Sequence, residues 1–417
     1  MTMNRRTLLR GTSATALVLA APAIIGKARA AETIKMVSIL DQSGGLDIYG
    51  KPMVDATQLA VEEINAAGGL LDREIELINY DPQSNIQFYT QYATQAATSD
   101  QADVVHAGIT SASREAIRPT LGRFQSLYFY NTQYEGGVCD RNTFCTGSTP
   151  AQTVEKVVPY VMNKWGKKVY IIAADYNYGH ITAQWMEKYV RDNGGETAAT
   201  EFFPLDVTNF GPTIKKIQAA KPDLVISALV GGAHVSFYKQ YAAAGMNASI
   251  PIASTTFGVG NEHELISAEE GNGMIVAYGY LQGIDTPANK DFIGRFQSRY
   301  GADAPSLNEL AVRSYEAVYL WAEGVKQAGT TERMAVIEAL ESPISFDGPS
   351  GKVTIDPKTH HAVQNVYLGE LQDQKFTILE SHEQQPPADT LLVCDLEANP
   401  DQATFYFENG LEAAGIK

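Results

Sequence analysis

Tyr128-Phe129-Tyr130-Asn131-Thr132-Gln133-Tyr134-Glu135-Gly136-Gly137-Val138-Cys139 runs on through Asp140-Arg141-Asn142 to Cys145-Thr146-Gly147-Ser148-Thr149-Pro150. This stretch decides how the chain divides. It opens as an aromatic strand, breaks at Gly136-Gly137 and passes a short two-cysteine segment. It ends in Ser148-Thr149-Pro150, a cap candidate before a proline, which starts a helix. The reading is a passage from one α/β lobe into a second. Tyr130 and Thr132 then sit at the mouth of the cleft between them.

Upstream, short apolar runs fit for buried parallel strands fall at 34–40, 74–80, 103–107 and 127–130. Helical spacing separates them. Met53, Ala56, Ala60 and Ile64 share one face of a helix over 49–67 that Gly68-Gly69 stops. Helices at 86–99 and from Ser113 to Leu121 complete a repeated β-α-β series, which implies a parallel, doubly wound sheet.

Downstream the pattern restarts, with helix 151–165, strand 168–173, helix 179–193 and strand 198–203. Helix 210–220, strand 224–228, helix 233–244, and short strands at 251–253 and 274–278 follow. Ala102-Asp103-Val104-Val105 and Pro222-Asp223-Leu224-Val225 echo one another before matching turns, so the two lobes are expected to share a topology. Helices at 288–300, 308–328 and 333–341 precede a tail of turn-linked strands around 352–355 and 365–372. The expected class is α/β: two doubly wound, Rossmann-like lobes joined by a multi-strand hinge. One lobe takes 31–147 plus 280–345, the other 148–279 plus 346–417.

The 417 residues are 44% hydrophobic and 19% charged, ordinary for a globular protein of two lobes. Residues 1–30 read as an export signal, twin-arginine in type with a general secretory peptide as the alternative, with Arg5-Arg6, an apolar stretch from Ala14 to Ile25, and a cleavage site near Ala30. Of the 32 basic residues five lie in 1–30, which leaves 27 against 48 acidic ones, a net of −21. That balance argues against nucleic acid and anionic membrane as partners. In an oxidising compartment Cys139 and Cys145, six apart around a turn, are expected to pair, leaving Cys394 a buried free thiol.

Enzyme signatures are missing: no Gly-x-Gly-x-x-Gly after a strand, no phosphate loop, no nucleophile elbow. Glu262-His263-Glu264 lacks a metal-binding spacing and reads as loop, and His360-His361 reads as a solvated turn. No cofactor, no metal and no catalytic residue is assigned.

Five stretches taken together resemble the type I periplasmic substrate-binding proteins of ABC transporters, in the urea and short-chain amide branch. They are Ser38-Ile39-Leu40-Asp41-Gln42-Ser43-Gly44, Tyr130 to Gly136, Asp175-Tyr176-Asn177-Tyr178-Gly179, Ile252-Ala253-Ser254-Thr255-Thr256 and Ile284-Asp285-Thr286-Pro287-Ala288. The second and last are also similar to the amide-sensing regulator of aliphatic amidase operons. The resemblance implies a monomer in the periplasm that traps a small polar solute by hinge closure and passes it to an ABC permease in the inner membrane.

Ligands bind beyond the carboxyl ends of parallel strands, where helix N–H groups meet acceptors. Ser111 and Ser113 follow such a strand, and in the family the matching hydroxyls hold the ligand's polar head. Tyr130, Thr132 and Gln133 follow the next strand, and Tyr176 and Tyr178 end a strand of the second lobe. Thr256 and Tyr280 complete the expected ligand set. A branched-chain amino acid would instead require a buried acid for its ammonium, with Glu135 and Asp175 available. An amide-sensing regulator and an exported α/β enzyme are the remaining alternatives.

Overall fold

The computed structural model describes residues 33–417; the expected export signal at 1–30 lies outside the described residues. The first half runs β1 (Ile34–Ile39), α1 (Asp47–Ala66), β2 (Ile75–Tyr80), α2 (Ile86–Gln95), β3 (Val104–Ala107), α3 (Ser111–Arg123) and β4 (Tyr128–Tyr130). Two three-residue strands follow, β5 (Val138–Asp140) and β6 (Thr143–Cys145). The second half runs α4 (Val154–Trp165), β7 (Lys168–Ala174), α5 (Asn177–Asp192), β8 (Glu196–Phe203), α6 (Gly211–Ala220), β9 (Leu224–Ala228) and α7 (Ala233–Ala243). It closes with β10 (Ile252–Ser254), the single-turn α8 (Ala268–Gly271) and β11 (Ile275–Tyr278). Then come α9 (Pro287–Tyr300), α10 (Glu309–Ala328), α11 (Arg333–Leu340) and strands β12 (Ser345–Gly348), β13 (Gly351–Asp356), β14 (His361–Gln372), β15 (Lys375–Gln385) and β16 (Ala403–Phe405).

The strand order is β2-β1-β3-β4-β6-β14-β11-β10-β9-β7-β8. Read from either edge inward, each half gives the same order of parallel strands, as the repeated pattern predicts. The Asp103 and Asp223 echo is one device used twice. Asp103 accepts from the Lys35 backbone N–H and Asp223 from that of Lys168, each at 2.8 Å. The two lysine ammonium groups donate to the carbonyls of Asp100 and Ala220. Each aspartate thereby pins the entry of the first strand of its half beside the third.

Strand β14 alone joins the halves within the sheet, parallel to β6 through His361 and Cys145 and antiparallel to β11. Around it polar side chains bond across the junction: Gln152 donates to the carbonyls of Ala362 and Gln385, and Gln364 donates to Gln152. Among the described residues no helix is long and apolar enough to cross a membrane.

Three expectations are corrected here. Cys139 pairs with Cys394, not Cys145, with their Cα atoms 5.4 Å apart, and Cys145 is a buried free thiol. The reason is that Cys145 lies in the central sheet between Tyr130 and His361, whereas Cys139 lies on β5, which leaves that sheet to pair with β16. His360-His361 is not a solvated turn: both rings are buried, His360 stacked on Phe144 and His361 bonded to Tyr134. Glu262 and His263 are likewise buried, because the Glu262 carboxylate accepts from the N–H groups of Gly258 and Gly260 and draws the loop around itself.

The C-terminal tail beyond β15 packs over both halves. Phe407 meets Trp185 of α5 edge-on and fills the space above Gly137, whose φ of +84° and lack of a Cβ permit the approach. Asp389 accepts from Thr149 and from the Ala151 N–H, fastening the tail to the first crossover.

Candidate functional site

A narrow cavity lies where the carboxyl ends of the two sets of strands face each other. It is small, about 30 Å³. The first half contributes Tyr49, Ile109, Thr110, Thr132, Gln133 and Leu310, and the second Tyr176, Tyr178, Val230, Thr256 and Val259. None of these side chains carries a charge.

Two of the walls are built alike. Tyr49 and Tyr178 each precede a glycine in the first turn of a helix, Gly50 and Gly179. A Cβ on either would stand 1.9 Å from a strand-end carbonyl oxygen, of Asp41 or Ala174. Only glycine lets the helix start press against its strand end, and that contact turns the preceding tyrosine into the cleft. Tyr49 accepts from the Gly231 N–H at 2.8 Å, and Tyr178 lies 3.4 Å from the Thr255 hydroxyl. Burial raises the pKa of both phenols and of Tyr176, so all three are neutral donors or acceptors.

The floor comes from turns that hold their own backbone. Thr110 caps α3 through a reciprocal bond with Ser113, and Ser254 accepts from the N–H groups of Thr256 and Phe257. Thr132 donates to the Gly108 carbonyl at 3.2 Å, and Gln133 donates from Nε2 to the Thr255 carbonyl at 2.8 Å. The Tyr176 hydroxyl and Gln133 Oε1 make no hydrogen bond to another described residue.

Of the nine expected ligand residues, the fold brings Thr132, Gln133, Tyr176, Tyr178 and Thr256 together. Ser111, Ser113, Tyr130 and Tyr280 do not line this cavity. The Ser113 hydroxyl serves the helix cap, and that of Ser111 donates to Glu135 at 2.6 Å. Tyr130 is fully buried, donating to the Ile109 carbonyl at 3.0 Å, with the Arg114 guanidinium 5.3 Å from its ring centre. Tyr280 lines a neighbouring cavity of about 410 Å³ that meets the first at Val259. Neither candidate acid reaches the cavity: Glu135 is paired with buried Arg114 at 2.9 Å, and Asp175 is exposed beside His180. Asn131 is engaged by His106 and Thr146.

Tyr49, Ile109, Thr110, Val230, Val259 and Leu310 were not anticipated. The repeated Tyr-Gly at 49–50 and 178–179 is the signal that points to Tyr49; the apolar members resemble any core residue in sequence.

The comparisons agree with this architecture. A solute-binding protein of an ABC transporter from Rhodopseudomonas palustris HaA2, solved in complex with p-hydroxybenzoic acid, superposes with a TM-score of 0.76 at 23% identity, covering 85% of this chain and 98% of that one. The leucine-, isoleucine-, valine-, threonine- and alanine-binding protein of Pseudomonas aeruginosa is 24% identical over 397 residues, 89% of this chain and 97% of its own length. The Leu/Ile/Val-binding protein homolog 6 of Brucella melitensis is 25% identical over 229 residues; this chain spans 54% of itself and 58% of that relative there. The family model described as periplasmic binding protein matches residues 33–375, which hold both halves of the sheet and every residue of the cavity, and the chain belongs to that family.

Proposed function

We propose that this protein is the extracytoplasmic solute-binding component of an ABC importer and that its solute is urea or a short-chain amide. The observation that carries the reading is the lining of the interlobe cavity: tyrosine, threonine, glutamine and apolar side chains, with no carboxylate and no cation. A neutral amide needs only hydrogen bonds there, each contributing about 0.5–1.5 kcal/mol net. An ammonium would be desolvated there with no acid to meet it. Lobes of 31–147 plus 280–345 and 148–279 plus 346–417 close on the solute about the β14 junction, and a permease receives the closed form. Residues 1–30, with Arg5-Arg6, direct the chain to the periplasm by twin-arginine export. The partners are the solute and the permease, with the protein acting as a monomer.

Relatives named for branched-chain amino acids favour a second reading, in which a solute carboxylate meets the N-terminus of α3 at Thr110. Calorimetry separates the two. Protein unfolded and refolded to strip carried-over solute is titrated with urea, formamide, acetamide and leucine. Heat from an amide and none from leucine is the expected result; leucine binding alone would replace the amide reading with the second.

A further inference from the structure

We infer that Gln133 couples closure of the cleft to the presence of an N–H donor on the solute. The inference rests on the solute-capture reading and adds the residue that sets donor selectivity.

Gln133 belongs to the first half, just past Tyr130 at the end of β4, and its side chain is 8% exposed. Its Nε2 donates 2.8 Å across the cleft to the carbonyl oxygen of Thr255, just past β10 in the second half. A carbonyl oxygen only accepts, so this bond fixes which end of the amide points where. Thr255 is itself held, its N–H donating to the Ser227 carbonyl at 3.0 Å. Oε1 therefore faces away from Thr255, on a side chain that lines the cavity, with no protein donor among the described residues.

A cavity-facing acceptor that the solute cannot satisfy penalises the solute-bound, closed state. Closing the cleft makes the Nε2 bond and leaves the cavity's occupant as the donor to Oε1. A primary amide or urea supplies the missing donor. A ketone of the same size does not, and a carboxylate adds like-sign charge density. Discrimination between an amide and its isosteric ketone is expected to be about tenfold to a hundredfold.

The test titrates acetamide and acetone into wild type, Gln133→Leu and Gln133→Glu by calorimetry, with circular dichroism confirming the fold of each. Wild type is expected to favour acetamide. Gln133→Leu loses both functions, so acetamide weakens by about tenfold to a hundredfold and the preference over acetone collapses. Gln133→Glu cannot donate to Thr255 at neutral pH but keeps an acceptor toward the solute, so it binds more weakly yet still favours acetamide. Should Gln133→Leu fail to fold, Gln133→Asn, too short to span the cleft, takes its place.

Unchanged acetamide affinity in the leucine variant, or equal losses for both solutes, would overturn the coupling while leaving solute capture intact. Wild-type binding of acetone as tight as acetamide would do the same. If wild type binds leucine and no amide, the amide reading fails separately; the leucine ammonium is then the donor, and Gln133→Leu must weaken leucine by the same factor for the coupling to stand. Failure of every donor solute to bind overturns both.

Discussion

Two tyrosines at opposite sides of the cleft show how a hydroxyl's partner decides its role. Tyr176, half-buried before α5, keeps a hydroxyl that no described protein group engages. Tyr130 is fully buried and its hydroxyl donates to the Ile109 carbonyl. The Tyr176→Phe variant should weaken solute binding by about twofold to tenfold, one net hydrogen bond, with an unchanged unfolding midpoint. Tyr130→Phe should do the reverse, lowering stability by about 1 kcal/mol while affinity holds. Calorimetry and denaturant unfolding on both variants check this, and a crossed pattern would show that the cavity wall has been assigned to the wrong tyrosine. Ser111 follows the Tyr130 pattern: Glu135, held between Ser111 and Arg114, belongs to a buried ionic cluster under the cleft.

At the scale of elements, the tail beyond β15 is fastened to the crossover that starts α4 through Asp389. Burial raises this carboxyl to about 6, against hydrogen bonds from Ala151, Thr149 and Thr390 that pull the other way. Between pH 4 and 6 the folded state therefore keeps a proton that the unfolded chain has lost, and this group's contribution to stability falls as pH rises through that window. The slope is at most about 1.4 kcal/mol per pH unit. Comparing wild type with Asp389→Asn by guanidinium unfolding at pH 4.5, 5.5 and 7 isolates it. The stability of wild type relative to the variant should rise on acidification from 6 to 4.5 and stay flat above. A pH-independent difference would remove Asp389 from the account. Glu341, which burial would raise but Arg141 and His360 pull down to about 2, has the opposite sign; it is common to both proteins and cancels. The tail is also where sequence reading reached least far. Strands such as β1, β3, β7 and β9 are buried apolar runs and announce themselves; β5, β6 and β16, three residues each, show no period. Cys139 and Cys394 are 255 residues apart, and nothing local favours that pairing over the nearer Cys145. Within the cavity, residues just past a strand end were legible by the strand-end rule. Ser113 and Ser111 obeyed the same rule, yet a cap and a buried acid engage them instead, and only the folded arrangement reveals such competition.

For the whole molecule, contacts between the two halves bridge the cleft. Besides Gln133 with Thr255 and Tyr49 with Gly231, the loop after β10 reaches the approach to α10: Asn261 Nδ2 donates to the Ser306 carbonyl at 2.8 Å, and the Ser306 N–H donates to Glu264 at 3.1 Å. Helix α10 packs on α1, so Ser306 moves with the first half while Asn261 moves with the second. Asn261 does not line the solute cavity, which makes it a probe of closure alone. Asn261 Oδ1 also accepts from Asn308 Nδ2 at 3.5 Å, and its φ of +59° is a conformation glycine adopts without strain, so Asn261→Gly removes both side-chain bonds and keeps the turn. If affinity includes the free energy of closing, losing these bonds lowers the closed population and weakens solute binding by at least about twofold to tenfold without touching the site. The loss should appear as faster solute release with an unchanged association rate, because the solute enters the open form and the bonds form afterwards. Stopped-flow binding and X-ray scattering of the solute-loaded variant measure both halves of this expectation. Unaltered release, with a scattering radius equal to that of loaded wild type, would mean that the rim contacts follow closure without stabilising it, and that the cavity residues hold the lobes together by themselves.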